Sequence, residues 1–226
     1  MQPLDNPIWT SLTTRHAGLA HGDAHVQRYA REMAPFVAIE SPDAASSQDV
    51  ARVVAPDESL YMVGTLPHFD TAWHIEQRAV ILQMVWSGGR IDGLNASSVR
   101  VLEPDDLPAM VELTALVFPG FFRARTPEMG KYLGIFAAGR LVAMAGERMH
   151  TNTHQEISAV CTHPDFTGRG LARLLMGCLI NDSLERGETP FLHVGDHNVR
   201  ARALYEQMGF ATRTALPMVL VRRSAA

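Results

Sequence analysis

Residues 156–175 read EISAVCTHPDFTGRGLARLL: an apolar run of strand type, a polar turn holding two glycines, then an apolar pattern of helical spacing. A strand that passes into a helix through such a turn aims successive backbone N–H groups at one point, here those of Gly168, Arg169, Gly170, Leu171 and Ala172. With the positive end of the helix dipole behind them, they form an anion site suited to a diphosphate. Gly170 and Ala172 are small enough to let a phosphate approach the backbone. The turn is not a Walker loop, since no Lys-Ser or Lys-Thr follows, and it lacks the G-x-G-x-x-G spacing of a dinucleotide site.

The flanking pattern builds an α/β unit around this turn. Residues 99–102 have strand character, and Pro104 with Asp105 and Asp106 opens a helix toward Val117 that Pro119 stops. Residues 131–137 and 141–149, joined by Ala138, Gly139 and Arg140, predict an antiparallel hairpin, with a third strand over 156–162. A helix over 171–184 closed by Gly187, a strand over 191–194, a helix over 199–208 capped by Gly209 and a strand over 211–221 complete the half. The order predicts one central sheet in a mixed α/β domain.

Upstream, residues 23–33 predict a helix ended by Pro35, 48–54 a short helix, 60–64 a strand and 74–86 a longer strand. The Gly-, Ser- and Asn-rich stretch 87–98 predicts a boundary between an N-terminal accessory α/β region (1–98) and a second domain (99–226). The strand pair 60–64 and 73–86 echoes 191–195 and 210–222, as a degenerate half-copy of one fold would; an unrelated accessory layer fits equally well.

Composition narrows the function. A net charge of −4, with Lys and Arg in no blocks, argues against nucleic acid as a main partner. The longest apolar stretches fall far short of the ~20 residues that span a bilayer. The start of the chain lacks signal-peptide order, and two cysteines, Cys161 and Cys178, build no disulfide framework. The expectation is a cytoplasmic protein without a membrane anchor, acting as a monomer or homodimer. No HExxH glutamate or third ligand accompanies the His pairs at positions 21/25 and 150/154, so no metal is expected.

A second motif follows the glycine turn: Asn198, Val199, Arg200 and Ala201, then Leu204, Tyr205, Gly209 and Phe210. TGRGLA after a strand, with NVRARALYEQMGF some way beyond, resembles the GNAT superfamily of acyl-CoA-dependent N-acetyltransferases, whose motifs are Q/R-x-x-G-x-G/A and N-x-x-A-x-x-L-Y-x-x-x-G-F. The strand and loop are most similar to its glycine N-acyltransferase-like branch. The resemblance covers residues 99–222 and departs at Thr167, which stands where the family has Gln or Arg; Arg169 is a candidate replacement.

The resemblance implies a mostly antiparallel sheet flanked by helices and acetyl-CoA as co-substrate. Backbone groups of Val160, Cys161 and Thr162 would meet the pantetheine arm and the thioester, Thr167, Gly168, Arg169, Gly170, Leu171 and Ala172 the diphosphate, and Asn198 the pantetheine chain. Tyr205 resembles the tyrosine that protonates the leaving thiolate. Glu156 lies eleven residues before Thr167, the offset of the general base in the family's histone acetyltransferase branch; Glu147 and His193 are its substitutes. Cys161 with His163 has the spacing of a nucleophile pair, although a strand cysteine is more often a core residue. The acceptor is a small-molecule or peptide amine; Arg123 and Arg125 either meet a carboxylate on it or are ordinary surface arginines, the commoner case. An acyl-CoA-binding regulatory module without turnover is the alternative function.

Overall fold

Alternating burial and turn chemistry set most elements of the chain. At Ala138 and Gly139 the backbone is left-handed at both positions (φ 49° and 79°), the geometry that reverses an antiparallel pair in two residues. The computed structural model describes residues 2–225. It runs α1 (Pro7–Thr13), β1 (Ala20–Gly22), β2 (Val26–Tyr29), β3 (Val37–Ile39), α2 (Ser47–Val53), β4 (Ser59–Val63), β5 (Trp73–Trp86), β6 (Val99–Val101), α3 (Leu107–Val117), β7 (Tyr132–Ala137), β8 (Arg140–His150), β9 (His154–Thr162), α4 (Leu171–Glu185), β10 (Thr189–Gly195), α5 (Val199–Met208) and β11 (Phe210–Arg223).

Eight strands form one sheet in the order β4-β11-β5-β10-β9-β8-β7-β6, while β1, β2 and β3 form a small separate sheet. Every neighbouring pair in the large sheet is antiparallel except β9 with β10. This is the mostly antiparallel α/β arrangement expected. Leu175, Met176, Leu179 and Ile180 of α4 pack on one face of the sheet against Val142, Leu192 and Val194. On the other face Met110 and Leu113 of α3 cover Tyr132, Met144 and Cys161. No helix among the described residues is long and apolar enough to cross a membrane.

Two expectations need correction. Residues 23–33 do not form a helix: Asp23 Oδ1 accepts from the N–H groups of His25 and Val26, which turns the chain into β2 instead of capping a helix. β2 is the central, buried strand of the small sheet, and its Arg28 forms a buried ion pair with Glu58 at 2.5 Å. The boundary at residue 98 also does not separate two layers. β5 lies between β10 and β11, pairing with β11 from Phe210↔Trp86 to Arg223↔Trp73. β4 flanks β11 on its other side, so the echoing strand pairs are neighbours in one sheet and not the sheets of two copies. The connecting segment 87–98 crosses α4, where the Asn181 amide both accepts from Ile91 N–H and donates to its carbonyl.

Candidate active site

The parallel pairing of β9 with β10 stops at Glu156↔Phe191. Beyond that rung residues 157–162 stay paired to β8, and residues 192–195 stay paired to β5. The two strands therefore splay, and the backbone groups on their facing edges have no strand partner. An extended chain with amide groups fits such a gap as a strand would, taking N–H and C=O on both sides. Within β9, Ala159 adopts φ 51° and makes a bulge between the rungs Met144↔Cys161 and Gly146↔Ser158. The bulge puts Cys161 on the same face as Glu156 and Ser158, while Val160 packs against the α4 side.

On the α4 side of the splay a cleft of about 400 Å³ is lined by Val160, Cys161, Thr162, Thr167, Gly168, Gly170, Leu171 and Ala172. The structure thus brings together nearly all the residues expected at the cofactor. Gly168 and Gly170 both take left-handed φ, 77° and 76°, and a Cβ added to either would meet open space. That conformation turns the loop into the first turn of α4. Arg169 is the exception: its guanidinium lies 4.6 Å over the Phe166 ring and donates to the Asp165 carbonyl, outside the cleft lining. The Thr167 hydroxyl is turned inward to the Pro164 carbonyl. Arg173, outside both motifs, and Arg200, at a variable position of the second, are the cations in the lining. Their positions in the first turns of α4 and α5 are the signal that could have found them.

A second cleft of about 420 Å³ opens on the other side, and Val117, Val160, Asn198 and Tyr205 line both. Asn198 caps α5, its Oδ1 accepting from Ala201 N–H at 3.1 Å, which fixes the side chain and leaves its amide N–H groups, without a partner among the described residues, to serve a ligand. Tyr205 is buried against Phe210, and burial pushes its hydroxyl up to about 12. At neutral pH it is a phenol with a proton to donate.

Glu156 is not where a base that works through solvent needs to be. Its carboxylate is fully buried and takes both prongs of Arg148 (2.7 and 2.8 Å), His193 Nδ1 (2.7 Å) and Met149 N–H (3.2 Å). Burial by itself would raise its pKa, but the charge and hydrogen bonds of Arg148 and then His193 hold it far below the usual carboxylate range. It is an anchored counter-ion. The substitutes are also engaged: Glu147 is bound by Arg186 and by Lys131 N–H, and His193 Nε2 faces the Gln83 amide at 3.1 Å.

Cys161 sits in the core with its thiol pushed up to about 12 by burial, which removes the thiolate a nucleophile needs. His163 instead engages Arg140 and the Asp165 N–H. Arg125 is paired with Glu128, and Arg123 is bound to the Arg31 carbonyl; neither lines the second cleft. Missing from the motif reading are Arg148, Tyr132 and His197, which do line it. Nor did it foresee that residues upstream of 98 supply Phe36, Val63 and Ile81 to its wall. Among the described residues no group of three or more His, Cys, Asp or Glu side chains converges as a metal site.

Residues 132–218 match the FR47-like protein family. The chain is 32% identical over 124 residues to the ribosomal protein bS18-alanine N-acetyltransferase of Salmonella typhimurium, covering 52% of this chain and 83% of that one. A crystal structure from Novosphingobium aromaticivorans, described as an acetyltransferase from the GNAT family, superposes with a TM-score of 0.92 at 32% identity over all of both chains. A GCN5-related N-acetyltransferase from Kribbella flavida shares the fold (TM-score 0.60, 14% identity, 96% of each chain). None of these relatives supports the glycine N-acyltransferase-like branch. With this match over its full length, the chain belongs to the GNAT family of acetyltransferases, enzymes that use acetyl-CoA as co-substrate.

Proposed function

We propose that this chain moves an acetyl group from acetyl-CoA directly to the amine of an acceptor, the two substrates entering the splay of β9 and β10 from opposite sides. The observation that carries this reading is the pair of clefts that meet at Tyr205 and Asn198. Gly168–Ala172 with Arg173 and Arg200 offer N–H groups and positive charge to the diphosphate, and the open strand edges offer hydrogen bonds to the pantetheine amides. In the transfer, the C–N bond forms as the C–S bond breaks. The amine loses one proton and the departing thiolate gains one.

Tyr205 is the donor nearest that role, because burial keeps it protonated where the two clefts join. The amine proton leaves through the open mouth of the second cleft, where exposed His197 stands with Asp196 3.5 Å from its ring. Tyr205→Phe preserves the ring and its packing on Phe210. It is expected to keep CoA-dependent thermal stabilisation while lowering thiol release from acetyl-CoA by ~10²-fold. Full activity in that variant would remove Tyr205 from the mechanism. A wild-type chain that binds CoA but releases no thiol with any amine would remove the transfer itself.

A further inference from the structure

The wall of the second cleft holds two donors without a partner among the described residues, one of them buried. Arg148 spends Nε and Nη2 on Glu156, and its Nη1 has no hydrogen-bond partner among the described residues, although the side chain lines the cleft. The Tyr132 hydroxyl is buried, lines the same cleft and has no partner either. The sheet brings these groups to one face. Tyr132 stands opposite Gly146 across the β7/β8 pair, and Arg148 lies two residues along β8. A Cβ on residue 146 would fall 2.2 Å from the Tyr132 ring, so glycine there lets the ring lie across β8. Arg148 is the charge that acts most strongly on the Tyr132 hydroxyl.

A buried hydroxyl left unpaired is costly, and together with a cleft-facing guanidinium nitrogen that also lacks a protein partner, it calls for a ligand rich in acceptor oxygens. A polyamine or a second ammonium is disfavoured, since no Asp or Glu side chain lines the cleft and Glu156 is already saturated. Most of the remaining wall is apolar: Phe36, whose ring lies 5.0 Å from the Arg148 guanidinium, with Phe121, Phe122, Ile81, Met149 and Met218; the uncharged Thr126, Ser158 and Asn198 and the rings of His193 and His197 interrupt it.

We propose that the acceptor is an amine that also carries a carboxylate beside a bulky apolar or aromatic group, as in phenylalanine or methionine, with the carboxylate held by Arg148 Nη1 and the Tyr132 hydroxyl. This rests on the acetyl-transfer reading above. The α-amine then faces Tyr205 and the thioester, and the side chain fills the aromatic wall. The balance is that of amide formation: acetyl-CoA and the amino acid give the N-acetyl amino acid and CoA thiol.

The test compares L-phenylalanine, L-phenylalaninamide, phenethylamine, an N-terminal phenylalanine peptide and spermidine as acceptors by thiol release. In parallel, calorimetry measures binding of N-acetylphenylalanine and its amide. The free acid is expected to exceed the amide and phenethylamine by about tenfold or more in kcat/KM, and spermidine to be inert, because removing a charge-assisted partner strands both donors. Arg148 variants strand Glu156 and risk unfolding, so the informative variant is Tyr132→Phe, which removes one oxygen. It is expected to raise KM for phenylalanine about fivefold and to narrow the preference over phenethylamine, with a melting temperature no lower than wild type. Equal use of acid and amide, preference for the peptide, or a Tyr132→Phe variant with unaltered selectivity overturns the proposal. Should thiol release fail with every amine while N-acetylphenylalanine still binds better than its amide, the carboxylate site stands and the transfer reading falls.

Discussion

His16 and Glu156 are both buried, yet they respond to acid in opposite ways. The His16 ring bonds Ser11 and Tyr29 and stacks edge-on to His150, and burial, then His150, lowers its pKa from 6.5 to about 4. Its folded pKa lies below the unfolded one, so the unfolded chain takes the proton first. The native state is unaffected above pH 6.5 and loses stability as pH falls toward 4, by about 3 kcal/mol in full. Melting curves between pH 7.5 and 5 should show this slope, and His16→Gln should flatten it. Glu156 is already ionised across that range, so it contributes no slope there. Glu156→Gln is expected to leave Arg148 buried without its counter-ion and to cost about 3–5 kcal/mol by denaturant unfolding. A variant as stable as wild type would show that the ion pair is not an anchor. A carboxylate at a motif offset looks the same in sequence whether it faces water or Arg148; the partner eight residues upstream on the adjacent strand is what decides, and pairing across β8 and β9 with two register shifts hides it.

At the scale of elements, strand-turn-helix was the most legible unit, because its glycines do work that side chains cannot. Left-handed φ at Gly168 and Gly170 is a backbone demand that the residue types announce. Gly170→Glu adds strain, bulk and negative charge at the N-terminus of α4. It is expected to abolish the thermal shift from CoA, a stabilisation of ~2.7 kcal/mol at 100 times the dissociation constant. A folded variant that still shifts like wild type would move the diphosphate elsewhere. The β7/β8 hairpin, α4, α5 and β11 were legible for the same local reasons: turn residues, caps and helical spacing. β2 was not, because its burial comes from pairing with its two neighbours β1 and β3, and the Asp23 turn that starts it mimics a helix cap in sequence. The aromatic wall of the second cleft was equally hidden, since Phe36, Ile81, Phe121 and Met218 converge from four separate segments.

The whole molecule is closed by β5. Composition at 87–98 marks a true exposed connection, but a connection is a domain boundary only if few contacts cross it, and here a full-length strand does. Residues 99–226 alone would leave β10 and β11 with bare facing edges and are expected to be insoluble. A chain with a protease site inserted between Asn95 and Ser98, where the backbone is exposed, is instead expected to stay assembled after cleavage, both fragments eluting as one peak and unfolding together. Separation of the fragments in native buffer would show that β5 is dispensable. The same threading sets a timetable during synthesis. β5 leaves the ribosome roughly 100 residues before β10 exists to receive it, and earlier still relative to β11, so at ~5–20 residues per second it waits on the order of ten seconds with both hydrogen-bonding edges open. Until then the N-terminal segment and the helices and strands made in between can cover its faces but not its edges, which gives this strand a claim on a chaperone.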